Sequence, residues 1–252
     1  MTMGLNAITQ RPALPRRVEP ELLDSLPPEE PCAIRSRRDL RRVNAMMMNG
    51  AFVARELSRA FGERPPRVIA EIGAGDGHFM LQVAHRLPQW RALDVLLLDR
   101  QSLVSGGTIA EFRTLGWRAQ AIKSEVRAWL AQPMRFAPDV IVANLFLHHF
   151  DTAGLFELLS MISQRTRVLI ACEPRRSRFA LAGSRLLAIA GCNAVTRHDA
   201  VASVHAGFSD QELSANWPQA DGWTLREAGY GLFSHYFVAV RADGGTADAA
   251  AQ

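Results

Sequence analysis

The sequence predicts an α/β fold: a doubly wound seven-stranded sheet, mostly parallel, with a C-terminal antiparallel hairpin and an N-terminal helical cap. Three observations predict it. Between residues 67 and 172, short apolar runs alternate with helical stretches at the pitch of βαβ units. A glycine-rich turn, Gly73-Ala74-Gly75-Asp76-Gly77, joins the first run to its helix. The last two strand-like runs are linked only through Gly229-Tyr230-Gly231, a connection too short for a crossover. With 252 residues and 48% hydrophobic content, the chain has ample material for one large core.

Residues 1–20 are polar and proline-bearing and read as a flexible leader. Glu21 to Leu26 suits one or two helical turns before Pro27-Pro28. From Ala33 to Phe61, Leu40, Val43, Met47, Ala51, Ala54, Leu57 and Phe61 recur at helical spacing. This predicts one long helix, or two broken near Asn49-Gly50, within a cap over residues 21–64. Its arginine-bearing face suits solvent, and the cap as a whole suits a lid or a homodimer surface. The main domain then runs over residues 65–241. Its parallel strands are predicted at 67–72, 94–99, 117–122, 139–144 and 167–172. Helices are predicted at 78–87, 106–115, 126–130 and 152–162. Residues 178–190 read as a helix, 191–208 as irregular, and 210–217 as a helix capped by Ser209. Strands at 223–228 and 234–240 close the sheet, and residues 242–252 read as a disordered tail.

Composition narrows the function. The net charge is +4, Lys123 is the only lysine, and the arginines are spread along the chain, which gives little reason to expect nucleic acid. Cys32, Cys172 and Cys192 are far apart and lack C-x-x-C spacing, so neither a disulfide framework nor a zinc motif is expected. No apolar run is long enough for a membrane span, and no signal segment is evident. A cytoplasmic protein is the expectation.

The glycine spacing is Glu71-x-Gly73-x-Gly75-x-Gly77. A dinucleotide fingerprint, G-x-G-x-x-G, would need its third glycine where His78 stands. The pattern resembles motif I of the class I S-adenosylmethionine (SAM)-dependent methyltransferases, which have a Rossmann-like sheet, and the resemblance extends over residues 67–240. It implies SAM as cofactor, held around Glu71, Gly73, Ala74, Gly75 and Gly77. Asp99, 22 residues beyond Gly77, falls where the family's acidic ribose-binding residue ends strand 2. Arg100 follows it and would suit a 2′-phosphate, which keeps an NADP-linked oxidoreductase as an alternative. A non-catalytic SAM-binding module is a second alternative. Ser124, Glu125 and Val126 stand where the family places its adenine-binding acid, and Asn144 where the methionine end of SAM lies.

Asn144 runs into Leu147-His148-His149-Phe150, which resembles the equivalent stretch of ubiquinone/menaquinone C-methylase-like enzymes. No proline or tyrosine follows Asn144, which argues against methylation of nucleic-acid bases. His148 and His149 are candidates for a general base, with loop bonding and helix capping as the alternatives. In such enzymes residues 178–218 would cover the substrate, and the His198-Asp199 pair within them could orient or deprotonate an acceptor, or form an ordinary cap. No metal ligand is expected, since the two adjacent histidines are not at helical i, i+4 spacing. The expected acceptor is a hydroxylated, apolar or aromatic small molecule of phenolic, polyketide or quinone type, methylated on oxygen or carbon.

Overall fold

The computed structural model describes residues 14–133, 137–188, 191–218 and 221–242. The leader expected over 1–20 therefore lies outside the described residues as far as 13, and the tail expected over 242–252 from 243 onward. The chain opens with α1 (Leu22–Ser25), α2 (Pro31–Met47) and α3 (Asn49–Phe61). The alternating part follows: β1 (Val68–Ile72), α4 (His78–His85), β2 (Asp94–Asp99), α5 (Gly106–Thr114), β3 (Arg118–Lys123), α6 (Val126–Ala131), β4 (Val140–Asn144), α7 (Thr152–Arg165) and β5 (Val168–Pro174). Then come α8 (Arg178–Arg185), α9 (Ala194–Ala206), α10 (Glu212–Ala215), β6 (Trp223–Tyr230) and β7 (Ser234–Arg241).

The seven strands lie in the order β3-β2-β1-β4-β5-β7-β6, with β7 antiparallel to both of its neighbours. The order reverses between β1 and β4. Their C-terminal ends diverge there into a crevice, the place where open parallel sheets receive ligands. β1, β4 and β5 are almost wholly buried, so both faces must be apolar. One face packs Ile69, Val140 and Ile170 against α3 and α4. The other packs Ala70, Ile141 and Leu169 against α6 and α7.

The two-helix alternative describes the N-terminal segment, and the elements after β5 differ from expectation. The break between α2 and α3 falls at Met48, whose φ of 55° puts it in the left-handed region. In α3, Phe52, Val53 and Leu57 are core residues packed with the sheet and α4. That apolar face is buried within the chain, and Arg55 and Arg59 lie on the exposed one. Residues 194–206, expected to be irregular, form α9, whose Asn193 side chain accepts the Thr196 N–H at 2.8 Å. Its buried face includes Thr196 and Asp199, so no apolar periodicity marks it in the sequence. α10 is a single turn with no side-chain cap, and the Ser209 hydroxyl accepts from Arg176 instead.

Residues 14–20 are not free of the fold. Arg16 lies over the Phe208 ring and donates to the carbonyls of Ala206 and Phe150 at 2.8 Å each. The Arg17 N–H donates to His205. Together with α1, this segment forms a strap across the crevice. Among the described residues no helix is long and apolar enough to cross a membrane.

Candidate active site

The crevice at the β1–β4 switch point is a cleft of about 850 Å³. Its floor begins at the turn after β1. Gly73, Gly75 and Gly77 have φ of 70°, 54° and 75°, a region that costs other residues strain. A Cβ on Gly73 would drive into the Phe146 ring, with Cγ at 2.7 Å. A Cβ on Gly75 would meet nothing within 4 Å. The first glycine therefore lets the loop after β4 close in, and the second leaves backbone bare to the cleft. Gly77 does not line the cleft; it packs beside Leu97, supporting the turn.

Glu71, at the end of β1, lines the cleft at 2% exposure, and its Oε2 has no hydrogen-bond partner. Burial, then the charges of Asp76 and Asp99, pushes its carboxyl well above the usual carboxylate range. A buried, orphaned carboxyl oxygen facing a cleft is suited to a cationic group from outside. Asp99 ends β2. Its Oδ2 accepts the Gly75 N–H and its Oδ1 the Gln101 N–H, both at 2.8 Å. Each oxygen keeps a lone pair for a ligand hydroxyl.

The remaining cofactor-side residues are reshaped by the fold. Arg100 lines the cleft, but its guanidinium pairs with Asp24 of the strap at 3.0 Å. Ser124, Glu125 and Val126 form the opposite rim, where the Glu125 carboxylate caps α6 through the Ala128 N–H. Asn144 is already bonded: it accepts from Asn49 at 2.9 Å and donates to Asn44 at 3.2 Å. Arg41 of α2 binds Asp76 of the glycine turn at 2.6 Å. The N-terminal helices are thus stitched to both strand ends that bound the cleft.

At the mouth, β4 turns sharply at Leu145, whose φ is 52°. Glu173, fully buried at the end of β5, holds the loop that follows. Its Oε1 accepts the N–H groups of Phe146 and Leu147, and its Oε2 receives His148 Nδ1 at 2.8 Å. His148 Nε2 meets Glu21 Oε1 at 3.2 Å, and Ser203 donates to the same oxygen. Burial alone would lower the His148 pKa, but bonds to Glu173 and Glu21 outweigh it and raise it to about 9. His149 behaves oppositely: burial, then the neighbouring His148 charge, lowers its pKa. It is 25% exposed, with Nδ1 3.5 Å from Asp24 and Nε2 4.0 Å from Glu21.

The His198-Asp199 pair is not brought to the cleft. Asp199 is buried in α9 and accepts the Leu22 and Leu23 N–H groups at 2.8 and 3.0 Å, capping α1 from across the chain. His198 is half exposed beside it, with Nδ1 on Asp199 at 3.0 Å. The cap alternative describes this geometry. Asp199 does border a second, apolar chamber of about 110 Å³, walled by Met46, Met47, Leu187 and Phe233. Leu145, Glu21, Leu40 and Ser203 line both spaces, so the chamber opens beside the histidine loop.

The sequence places Glu173 at the substrate mouth, from its position at the end of strand 5, but sequence reasoning missed Glu21, Asp24 and Ser203. Each is an ordinary polar residue in a stretch with no motif, and only the fold brings them to the histidines.

No protein-family model and no curated protein matches the chain. Solved structures do. The plantazolicin methyltransferase BpumL, in complex with S-adenosylhomocysteine (SAH), is 13% identical with a TM-score of 0.61, over 84% of this chain and 91% of that one. The plantazolicin methyltransferase BamL, bound to an analogue and SAH, gives 14% and 0.61 over 87% and 92%. An O-methyltransferase family protein from Burkholderia thailandensis gives 17% and 0.56, over 86% of this chain and 62% of that one. At these identities the likeness is one of fold, and the fold is that of class I SAM-dependent methyltransferases.

Proposed function

We propose that the chain is a SAM-dependent methyltransferase acting on a hydroxylated, apolar or aromatic small molecule in the cytoplasm. The observation that carries this reading is the orphaned Glu71 carboxyl in the same cleft as Gly75 and Asp99. SAM, when bound, supplies a methyl group on a positively charged sulfonium. The residues fit its parts. Asp99 has lone pairs for ribose hydroxyls, Glu71 meets the ammonium of the methionine end, and Gly75 leaves backbone bare beside it. The rim of Ser124, Glu125 and Val126 suits the adenine. Asn144 acts as a fixed wall through its bonds to Asn44 and Asn49. Arg100, spent on the strap, is not held ready for a 2′-phosphate, which counts against an NADP-linked oxidoreductase.

The second chamber receives the acceptor. At about 110 Å³ its methionine and leucine walls suit one apolar ring or arm of a phenolic, polyketide or quinone-type acceptor, methylated on oxygen or on ring carbon, with the rest of the molecule in the adjoining cleft. Methyl transfer is a displacement, so alignment and exclusion of water do most of the work, and the strap supplies the cover. His148, protonated between two carboxylates, orients the loop. His149, neutral and facing the cleft, is the group placed to accept a hydroxyl proton. Incubation with labelled SAM and a panel of phenols and hydroxyquinones tests the reading. Label in an apolar acceptor, reduced in His149→Ala, is expected. SAH binding without transfer to any of them would favour the non-catalytic module, and tighter binding of NADP than of SAH would favour the oxidoreductase.

A further inference from the structure

We propose that Glu21, His148 and His149 form a divalent-metal site at the mouth of the cleft, and that the ion clips the strap to the domain. Each offers one ligand atom, and the three atoms lie within 4.8 Å of one another. Glu21 Oε1 is 3.2 Å from His148 Nε2 and 4.0 Å from His149 Nε2. Ligand atoms of a tetrahedral zinc site stand about 3.3 Å apart, so the Glu21–His148 pair already fits and the widest pair must close by up to about 1.5 Å.

The surroundings are those of a supported site. A ligating histidine usually gives its other nitrogen to a carboxylate, which fixes the ring. Here His148 Nδ1 is hydrogen-bonded to Glu173 at 2.8 Å, and the Asp24 carboxylate stands 3.5 Å from His149 Nδ1. Ser203 anchors the Glu21 carboxylate. Three carboxylates gather here, Glu21, Asp24 and Glu173, with one guanidinium, Arg100, on Asp24. An ion on His148 Nε2 would take the place of the proton that the ring otherwise shares with Glu21, while Nδ1–H stays on Glu173. Two imidazoles and a carboxylate suit zinc and neighbouring transition ions better than magnesium or calcium. Because His149 is part exposed and lines the cleft, the remaining coordination position faces the ligand space. An ion there would take over the nitrogen otherwise free to act as a base. None of the three residues is assigned to SAM, so the site is independent of the cofactor proposal, but with the ion bound His149 is a ligand and no longer the proton acceptor proposed above.

The test is calorimetric titration of zinc into chelator-treated full-length protein, without SAM, beside limited trypsin digestion at Arg16 and Arg17. One equivalent should bind, at least tenfold more weakly in Glu21→Gln, His149→Ala and Asp24→Asn, and zinc should slow cleavage of the strap in the wild type but not in Glu21→Gln. Where one variant fails to fold, the other two carry the comparison. No saturable binding, or affinity unchanged in the folded variants, overturns the site. Zinc failing while SAH still binds removes this inference alone; zinc binding while SAH fails removes only the cofactor proposal.

Discussion

Replacing Asp99 with alanine isolates the ribose end of the cleft. In the free protein the carboxylate accepts two backbone N–H groups, from Gly75 and Gln101, each at 2.8 Å. Both donors lie at a part-buried rim, where water can replace the carboxylate, so the fold should survive. A bound nucleoside would add two hydroxyls donating to the same group. Hydrogen bonds to a charged partner are worth about 1.5–3 kcal/mol each. Two such bonds, at the lower bound, amount to about 3 kcal/mol, or roughly 100-fold in Kd. Asp99→Asn should fall between, because one of its two oxygens becomes a donor that cannot take the Gly75 or Gln101 N–H. Calorimetric titration with SAH reads the affinity, and thermal melting checks the fold. An intact Asp99→Ala protein binding SAH within threefold of the wild type would refute the assignment.

Three further outcomes are expected. Gly73→Ala and Gly75→Ala both pay about 1–2 kcal/mol for a left-handed backbone, but only the first also displaces Phe146, so it should melt lower while Gly75→Ala keeps its fold and loses SAH affinity. Melting curves that coincide would contradict this. The Glu71 carboxyl, pushed up by burial and then by Asp76 and Asp99, should ionise more readily once the ligand ammonium arrives, so binding should release a proton. SAH affinity should then rise with pH from the ordinary carboxylate range up to the raised pKa and level off above it. Calorimetry in buffers of different ionisation enthalpy should show proton release, absent in Glu71→Gln; proton uptake would reverse the sign. Over the same window the unfolded chain binds fewer protons than the native one, so Glu71 makes stability fall as pH rises, and Glu71→Gln should flatten that slope. Ala200→Phe should fill the 110 Å³ chamber, abolishing transfer to the acceptor while leaving SAH binding intact. Retained transfer would place the acceptor elsewhere.

How far the sequence could be read follows from where the information sits. β1, β4 and β5 are buried on both faces, and that burial forces contiguous apolar runs that stand out in one dimension. The glycine turn was equally legible, because its positive φ angles restrict the residues allowed. α3 shows a different limit. Of its predicted stripe, Ala54 and Leu57 are buried and Phe61 packs on the core, but the pattern missed Phe52 and Val53 and could not say that the sheet covers them. α9 escaped because its inner face uses Asp199 to cap α1 and Thr196 to bond Ser36. The cluster at the mouth was least legible. Glu21 stands 127 residues from His148, so no spacing rule joins them. Only the strap's path across the crevice brings them together.

The most direct measurement is a crystal structure with SAH. The account predicts the ribose hydroxyls on Asp99, the homocysteine ammonium within hydrogen-bond distance of Glu71 Oε2, and the sulfur turned toward His149 and the apolar chamber. A ligand lying with its ribose away from Asp99 and Glu71 still unpartnered would contradict it.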